Sequence, residues 1–204
     1  MNSLSDNQVS LYEEPVQEKI RKFIKIEFLL NKIYYFKGKD DKNENYTALL
    51  ALCELYEILS RSDIKSELIR EIETQNTYLK TIKKIPQTDS SKLNSVLEKQ
   101  DQLLKLIYSI EVNYLDHLER DVLFKTILKN SFTQLQPASI DFWLSRDILN
   151  RETQINLWLE PLIFIKRSID FILEVIRKSG RFEDRMAEKG FFIEKLDQKK
   201  NILL

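Results

Sequence analysis

The chain has 204 residues, of which 43% are hydrophobic and 31% are charged, and it contains only three glycines and four prolines. This length suits one medium-sized domain, and the scarcity of glycine and proline is typical of an α-rich soluble protein. Thirty-two basic residues balance thirty-two acidic ones, which excludes a bulk electrostatic attraction to nucleic acid or to anionic membranes.

Residues 1–14 form a polar N-terminal tail in the sequence. Residues 1–10 lack the apolar core of a secretory signal peptide, and no run in the chain approaches the ~18 apolar residues of a membrane span. The sequence therefore predicts a cytoplasmic protein without membrane insertion. A short strand is predicted just before Pro15 from three apolar residues, Val9, Leu11 and Tyr12.

The first long helix is predicted over residues 15–36, because apolar residues recur there at helical spacing. Pro15 suits its first turn, where the missing N–H leaves no hydrogen bond unmade. Glu27 falls near the middle of the apolar stripe, whose members are Val16, Ile20, Phe23, Leu30 and Tyr34. Two interpretations are open: a carboxylate at the core margin that reaches solvent or caps a neighbouring helix, or a buried carboxylate. We predict the second, with an arginine or several N–H donors as partners, because an unpaired buried charge is too costly.

A polar loop over residues 37–45 leads into the second predicted helix, which carries Leu49, Leu52, Cys53, Tyr56 and Leu59. Cys53 lies among leucines, which predicts a buried structural thiol rather than a reactive one. It is the only cysteine, so a disulfide within the chain is excluded and a zinc site lacks ligands. The helix ends at residues 60–63, where Ser62 or Asp63 can cap the next helix.

A long antiparallel helical hairpin is predicted over residues 63–85 and 91–110. Each segment has a helical apolar period, and the residues around Pro86 predict a stop, a turn and a new cap between them. Two facing apolar periods should fold back on each other. Gln75 and Gln100 interrupt the apolar seam of this hairpin, and we expect both at solvated edges.

Two shorter helices are predicted next. Residues 113–129 continue as one helix, with an apolar side formed by Leu115, Leu118, Val122 and Leu123. A loop precedes a short helix, for which Ser139 or Asp141 is the predicted cap. This short helix carries Phe142, Trp143 and Leu144.

The pattern changes twice in the C-terminal part of the sequence. A helix begins near Glu152, and Pro161 predicts a kink or restart because proline cannot lie deep in a helix without breaking a bond. The last apolar stripe stops near Gly180, a natural left-handed cap, and its members are Leu162, Ile165, Ile169, Ile172 and Ile176. Residues 190–193 and 201–204 then favour strands, although two isolated short strands bury too little to be stable alone.

Together these elements predict a mainly α protein, a helical bundle that contains the long antiparallel hairpin. The helical domain covers residues 15–180. A small β part, vestigial or truncated, is expected to combine the N-terminal segment, residues 1–14, with the C-terminal end, residues 181–204.

The sequence contains no pattern that indicates catalysis. His117 is the only histidine, no nucleophile-elbow glycines accompany any serine, and no phosphate-binding or dinucleotide-binding glycine loop is present. Because it lies beside Asp116 and Glu119, His117 is predicted to be a surface residue. Paired acidic residues lie next to turns or helix ends, where solubility and capping explain them better than acid–base chemistry does. We therefore expect a binding protein, with no catalytic residue, cofactor or metal.

Several segments resemble the ZapD family, bacterial cytoplasmic proteins that associate with the tubulin-like division protein FtsZ. The opening match comprises Tyr12-Glu13-Glu14-Pro15, Glu18-Lys19-Ile20-Arg21 and Ile26-Glu27-Phe28-Leu29. Later matches lie in residues 52–79 and 173–177 and at Trp143-Leu144, Arg151, Gln154, Trp158, Pro161-Leu162 and Gly190-Phe191-Phe192. No single match is a catalytic signature, and their order along residues 12–193 gives the resemblance its specificity.

The resemblance implies a helical domain joined to a small β domain, a homodimer, and binding to the conserved C-terminal tail of FtsZ through basic residues. Such binding crosslinks FtsZ filaments at the division site at mid-cell. Arg61 matches the family's basic position in the turn between the second and third helices. Arg120 is a near match in residues 118–122, where Val122 stands at the last basic position of the family segment.

The family's remaining basic contacts lie in a C-terminal β region. This chain ends at Leu204, soon after the first residues with a strand pattern, which leaves two explanations open: a truncated chain or a decayed β domain. The leading hypothesis is a non-enzymatic adaptor that binds and bundles FtsZ filaments and so stabilises the Z ring. The alternative is a helical nucleic-acid-associated regulator that uses Arg177, Lys178 and Arg181.

Overall fold

The computed structural model describes Glu13 and residues 15–83, 89–131 and 137–179. Helices make up most of this part, in the order α1 (Glu18–Phe36), α2 (Lys42–Ser60), α3 (Ile64–Ile82), α4 (Ser90–Ser109), α5 (Asp116–Arg120), α6 (Val122–Asn130), α7 (Ala138–Leu144), α8 (Ile148–Leu159) and α9 (Ile163–Ser179). These described ranges contain no strand, so the prediction of a mainly α fold is confirmed. The strand predicted before Pro15, the cap at Gly180 and the β part over residues 181–204 lie outside them.

α1 packs against α2 and α9 and supplies one side of the main core. Its buried residues follow the predicted helical spacing, and they are Ile20, Phe23, Ile26, Leu29, Leu30 and Ile33. The helix begins at Glu18, later than predicted, because Gln17 keeps an extended backbone (φ −92°, ψ 133°). Pro15 therefore precedes the helix, and its carbonyl oxygen accepts a hydrogen bond from Arg21 Nη2 (3.1 Å).

α2 begins at Lys42, inside the segment that the sequence predicts as a loop. Asp41 is the reason, because one of its carboxylate oxygens accepts from the backbone N–H groups of Asn43 (2.7 Å) and Glu44 (3.1 Å) and so caps the helix. The buried amide of Asn45 also donates to the Asp41 carbonyl oxygen (2.9 Å). These bonds fix the first turn of α2.

The predicted hairpin is confirmed by α3 and α4, which pack against each other. At one end of the pair, Lys65 Nζ donates to the carbonyl oxygen of Ile110. At the other end, Lys83 Nζ donates to Asn94 Oδ1 (2.8 Å). The start of each helix thus lies beside the end of the other, so the two helices run antiparallel.

Gln75 and Gln100 are buried, so the expectation that they lie at solvated edges is wrong. Gln75 is 7% exposed and Gln100 is fully buried. The reason is a third helix, α9, which packs across both α3 and α4. Gln75 Nε2 donates to the carbonyl oxygen of Ile172 on α9 (3.3 Å) and to Glu71 Oε1 (3.2 Å).

The single helix predicted over residues 113–129 is divided into α5 and α6 at Asp121. The Asp121 carboxylate caps α6 by accepting from the Phe124 backbone N–H (2.8 Å), and it also accepts from the indole Nε1 of Trp158 on α8 (3.0 Å). This break changes which residues face the core. Phe124 is buried, whereas Val122, expected on the apolar side, is 78% exposed.

The helices near Trp143 begin at other residues than predicted. α7 starts after Pro137 without a side-chain cap, so Ser139 and Asp141 are helical residues rather than caps. α8 starts four residues before Glu152, because Asp147 accepts from the backbone N–H of Asn150 (2.9 Å). A 3-10 turn, Glu160–Leu162, then leads into α9, which confirms the restart predicted from Pro161. Every member of the predicted α9 stripe is buried.

Three lysines on α1 form ion pairs with neighbouring helices, and these pairs are Lys19 with Glu71, Lys22 with Glu67 and Lys25 with Glu54. The Glu71 side chain is fully buried. Lys19 is therefore the counter-charge that makes this buried carboxylate tolerable. The ion pairs hold the N-terminal half of α1 to α2 and α3.

Cys53 is 1% exposed, which confirms the prediction of a buried thiol. Burial raises the pKa of this thiol to about 12, so the reactive thiolate is scarce at neutral pH. In the described part of the chain, no helix combines the length and the apolar character that a bilayer crossing requires.

Candidate partner-binding site

Arg61 lies in the turn that joins α2 to α3. Its backbone closes α2, and its side chain is 78% exposed. Its ion-pair partner is Glu57, one helical turn earlier, with Oε1 3.9 Å from Arg61 Nη2. An exposed pair at this distance contributes little to stability. The guanidinium is therefore available to bind an external carboxylate through two parallel N–H groups.

Arg120 lies at the end of α5 and is also exposed, at 81%. Its Nη2 donates to Asp116 Oδ2 at 2.9 Å, a shorter contact than that of Arg61. Asp116 lies one turn earlier on the same helix, so the pair is local and solvent-screened. Arg120 thus has a partner within its own helix, and it is less available to an external carboxylate than Arg61.

A groove of about 500 Å³ runs between the α2–α3 turn and the start of α5. Ser60 and Ser62, the sequence neighbours of Arg61, line one side of the groove. Asp116 and Glu119, next to Arg120, line the other. Neither Arg61 nor Arg120 lines the groove itself, but each is next in the sequence to residues that do. We call Arg61 and Arg120 the rim arginines.

The acidic residues inside this groove are already bound to other groups of the fold. Asp63 caps α3 through the backbone N–H of Ser66 (3.2 Å), and hydrogen bonds from Ser66 hold the pKa of Asp63 below its usual value. Glu119 Oε1 accepts from the hydroxyl of Tyr56 (3.1 Å), and burial together with this bond raises the pKa of Tyr56. These carboxylates are therefore occupied, as Asp116 is by Arg120, whereas the Arg61 side chain remains largely in solvent.

Lys65 and Val112 also line the groove, and sequence reasoning did not select them as site residues. Lys65 brings a third cation, although its Nζ is bound to the Ile110 carbonyl oxygen. Val112 is 85% exposed and offers an apolar contact. The sequence contains no local signal for either, because the groove exists only once the hairpin end meets the α2–α3 turn.

A second arginine cluster joins the segment before α1 to the end of α9. Arg177 donates to Glu27 through Nη1 (2.7 Å) and Nη2 (2.8 Å) and to Glu13 through Nε (2.6 Å) and Nη2 (2.8 Å). The predicted pairing of Glu27 with an arginine is confirmed, and its side chain, 18% exposed, is mostly but not fully buried. Hydrogen bonds to Glu27 and then Glu13 raise the pKa of Arg177. We call these three residues the Arg177 clasp.

The nucleic-acid hypothesis requires three cations, Arg177, Lys178 and Arg181. The first of them, Arg177, is already bound to Glu13 and Glu27, which weakens that hypothesis. Lys178, the second, forms an ion pair with Glu174 on the same helix. Arg181, the third, lies outside the described residues. Two of the three cations are thus already balanced by carboxylates of the fold.

His117 is half-buried and has a structural role, so its predicted surface position is wrong. Its Nδ1 lies 2.9 Å from the Tyr114 carbonyl oxygen and its Nε2 lies 2.9 Å from that of Trp158. The ring therefore ties α5 to the end of α8. Across the residues that the structure describes, no group of three or more His, Cys, Asp or Glu side chains is placed to hold a metal ion.

Comparison with known proteins gives one consistent result. A family model described as ZapD, cell division protein, matches residues 24–204. Curated relatives named cell division protein ZapD include those of Azoarcus sp. (strain BH72), 27% identical, and Nitrosomonas eutropha, 28% identical, each over 89% of this chain and 74% of the relative. The Janthinobacterium sp. (strain Marseille) relative is 26% identical over 93% of this chain and 77% of its own length. The chain thus spans about three quarters of each of these relatives.

Proposed function

This chain belongs to the ZapD family of cell division proteins, and we propose that it is a non-enzymatic adaptor for FtsZ. It binds the C-terminal tail of FtsZ and crosslinks FtsZ filaments into bundles, which stabilises the Z ring. It acts in the cytoplasm at the mid-cell division site. Membership of the family supports the choice of partner, and the exposure of Arg61 and Arg120 beside the groove supports the choice of surface.

The observation that supports this proposal most strongly is the exposure of Arg61. A guanidinium that is 78% exposed and only loosely paired has little value to the fold. It keeps its full capacity to bind a carboxylate of an extended peptide. Arg120 adds a second contact once it exchanges Asp116 for a carboxylate of the tail.

Bundling requires at least two tail-binding sites in one particle. The described residues of one chain contain a single copy of this groove, so the proposal includes a homodimer, in which two-fold symmetry presents the groove twice. A monomer would bind tails without joining filaments. The oligomeric state of the active particle is therefore part of the same hypothesis.

A filament sedimentation assay tests the proposal. Arg61→Glu should abolish FtsZ bundling, because it replaces the cation with a charge that repels a carboxylate. Arg120→Glu should have a smaller effect, since Asp116 already neutralises part of the charge of Arg120. Arg167→Glu, at another exposed arginine of the surface, is the matched control and should bundle normally.

Circular dichroism and a melting curve must accompany the assay. A folded Arg61→Glu protein that bundles like wild type removes Arg61 from the site. A protein that unfolds shows that Arg61 is structural. Binding to duplex DNA rather than to an FtsZ tail peptide at physiological salt would favour the nucleic-acid alternative instead.

A further inference from the structure

The face of α1 that points away from the core carries a regular pattern of basic and aromatic residues. Arg21, Lys25, Phe28, Lys32 and Tyr35 follow one another alternately four and three residues apart, which places them on one side of the helix. The buried residues of α1 lie on the opposite side. Phe28 is 57% exposed and Tyr35 is 62% exposed. We call these five residues the outer stripe.

The cations in the N-terminal half of the outer stripe are balanced by carboxylates. Arg21 Nη1 lies 3.2 Å from Glu18 Oε2. Lys25 Nζ lies 2.5 Å from Glu54 Oε1 on α2, and it also lies 5.9 Å from the centre of the Phe28 ring. This half is therefore close to neutral, with one exposed aromatic ring.

The C-terminal half carries positive charge that the fold does not balance. Within the described ranges, neither Lys32 nor Lys39, just after the helix, has an ion-pair partner. Lys39 Nζ lies 4.5 Å from the centre of the Tyr35 ring. Two nearby carboxylates have partners elsewhere. Asp40 Oδ1 lies 3.6 Å from Nη2 of the buried Arg151 on α8, and Asp41 caps α2. Unbalanced cations thus stand beside an exposed aromatic ring.

We propose that the outer stripe docks an amphipathic helix of a partner protein, whose carboxylates meet Lys32 and Lys39 and whose apolar residues cover Phe28 and Tyr35. The alternate spacing of four and three residues aligns these five side chains along one side of α1, where a second helix can lie beside them. From Arg21 to Tyr35 the outer stripe is about 21 Å long at 1.5 Å per residue. Burial of the two rings supplies the apolar part of the affinity.

The charge distribution favours such a helix over single-stranded nucleic acid. A phosphate backbone is negative along its whole length, so it would meet Glu18 and Glu54 in the N-terminal half of the stripe. A peptide can place its carboxylates only opposite the unbalanced lysines. Sites for single-stranded nucleic acid also follow a groove in which bases stack, whereas the outer stripe is the convex ridge of one helix.

Fluorescence anisotropy with a synthetic peptide tests this inference at physiological salt. The probe is a three-heptad helix with leucine at the core positions and glutamates confined to one half. It should bind, and the double variant Lys32→Glu with Lys39→Glu should weaken binding roughly tenfold or more, because two attractive contacts become repulsive. Phe28→Ser should weaken it by a similar factor through lost apolar contact.

Control positions lie on α4, where Lys105 and Tyr108 are both exposed. Lys105→Glu and Tyr108→Ser should leave peptide binding unchanged. The inference is overturned if the folded wild type does not bind the probe, if the α4 variants weaken binding as much as the stripe variants, or if a poly-dT oligonucleotide binds the stripe instead. FtsZ bundling by the stripe variants should stay normal, which separates this surface from the groove.

Discussion

The end of α9 and the turn between α2 and α3 each present an arginine, in opposite environments. In the Arg177 clasp, one guanidinium donates to two carboxylates and keeps 34% of its surface exposed. In the α2–α3 turn, the Arg61 side chain is 78% exposed and has one partner at 3.9 Å. Both residues lie in charge-rich stretches of sequence. The difference shows that packing, rather than residue type, separates an arginine that serves the fold from one available to a partner.

The largest effect on stability is expected from Arg177→Ala. This change leaves Glu13 and Glu27 without their counter-charge, and Glu27 cannot move fully into solvent. Because the site is partly exposed, we expect a loss of about 2 kcal/mol in the free energy of unfolding, less than the ~3–5 kcal/mol typical of a fully buried pair. Urea titration measures it. A loss of unfolding free energy below about 0.5 kcal/mol, the range of ordinary surface substitutions, would mean that Arg177 contributes no more to stability than Arg61 does.

Glu27→Gln should have an intermediate effect. The amide keeps the shape of the carboxylate but turns charge-assisted hydrogen bonds to Arg177 into neutral ones, which costs about 1 kcal/mol. Glu73→Gln, at an exposed position of α3, is the matched control and should leave the urea midpoint unchanged. Equal midpoints for both variants would mean that Glu27 contributes no charge interaction to the fold.

The Arg177 clasp should also give stability a dependence on pH. The hydrogen bond from Arg177 lowers the pKa of Glu13 below its ordinary value of 4.5. The contribution of Glu13 is therefore fully present above pH 4.5, and it is lost as the pH falls through the lower pKa of the folded state. The difference in unfolding free energy between wild type and Glu13→Gln should shrink over that acidic range. A difference that stays constant down to acid unfolding contradicts this link.

The smallest effects on stability are expected at the rim arginines. Arg61→Ala and Arg120→Ala should each change the unfolding free energy by less than about 0.5 kcal/mol, the usual range for exposed pairs. Of the two, Arg120→Ala should cost slightly more, because it removes the 2.9 Å contact with Asp116. Thermal melting of both variants beside Arg177→Ala checks this order. A large loss in Arg61→Ala would place Arg61 with the structural arginines.

Local sequence patterns predict the parts of the fold that depend on one helix at a time. The apolar period of α1 placed Glu27 in a buried stripe and so required a partner, but it could not identify Arg177, which lies 150 residues away. Gln75 and Gln100 were misplaced because a hairpin pattern does not reveal that α9 covers its seam. The break at Asp121 depends on a contact with Trp158, a residue on another helix.

The candidate site was predictable only in part for the same reason. The turn position of Arg61 favoured exposure, and its choice as a site residue came from the family resemblance. The groove combines residues within 59–66 with residues within 112–119. No pattern within either segment indicates that they meet, so Lys65 and Val112 could not be recognised as lining residues from the sequence.

The affinity of a fluorescent FtsZ C-terminal tail peptide, measured across a salt series, tests the central proposal most directly. Wild-type protein should bind the peptide, and the affinity should fall as salt rises, because exposed charge pairs are screened over about 8 Å at physiological ionic strength. Arg61→Glu should weaken binding roughly tenfold or more and flatten the salt dependence, while Arg167→Glu should bind as wild type does. An Arg61→Glu protein that remains folded and binds with wild-type affinity and salt dependence would contradict the proposal.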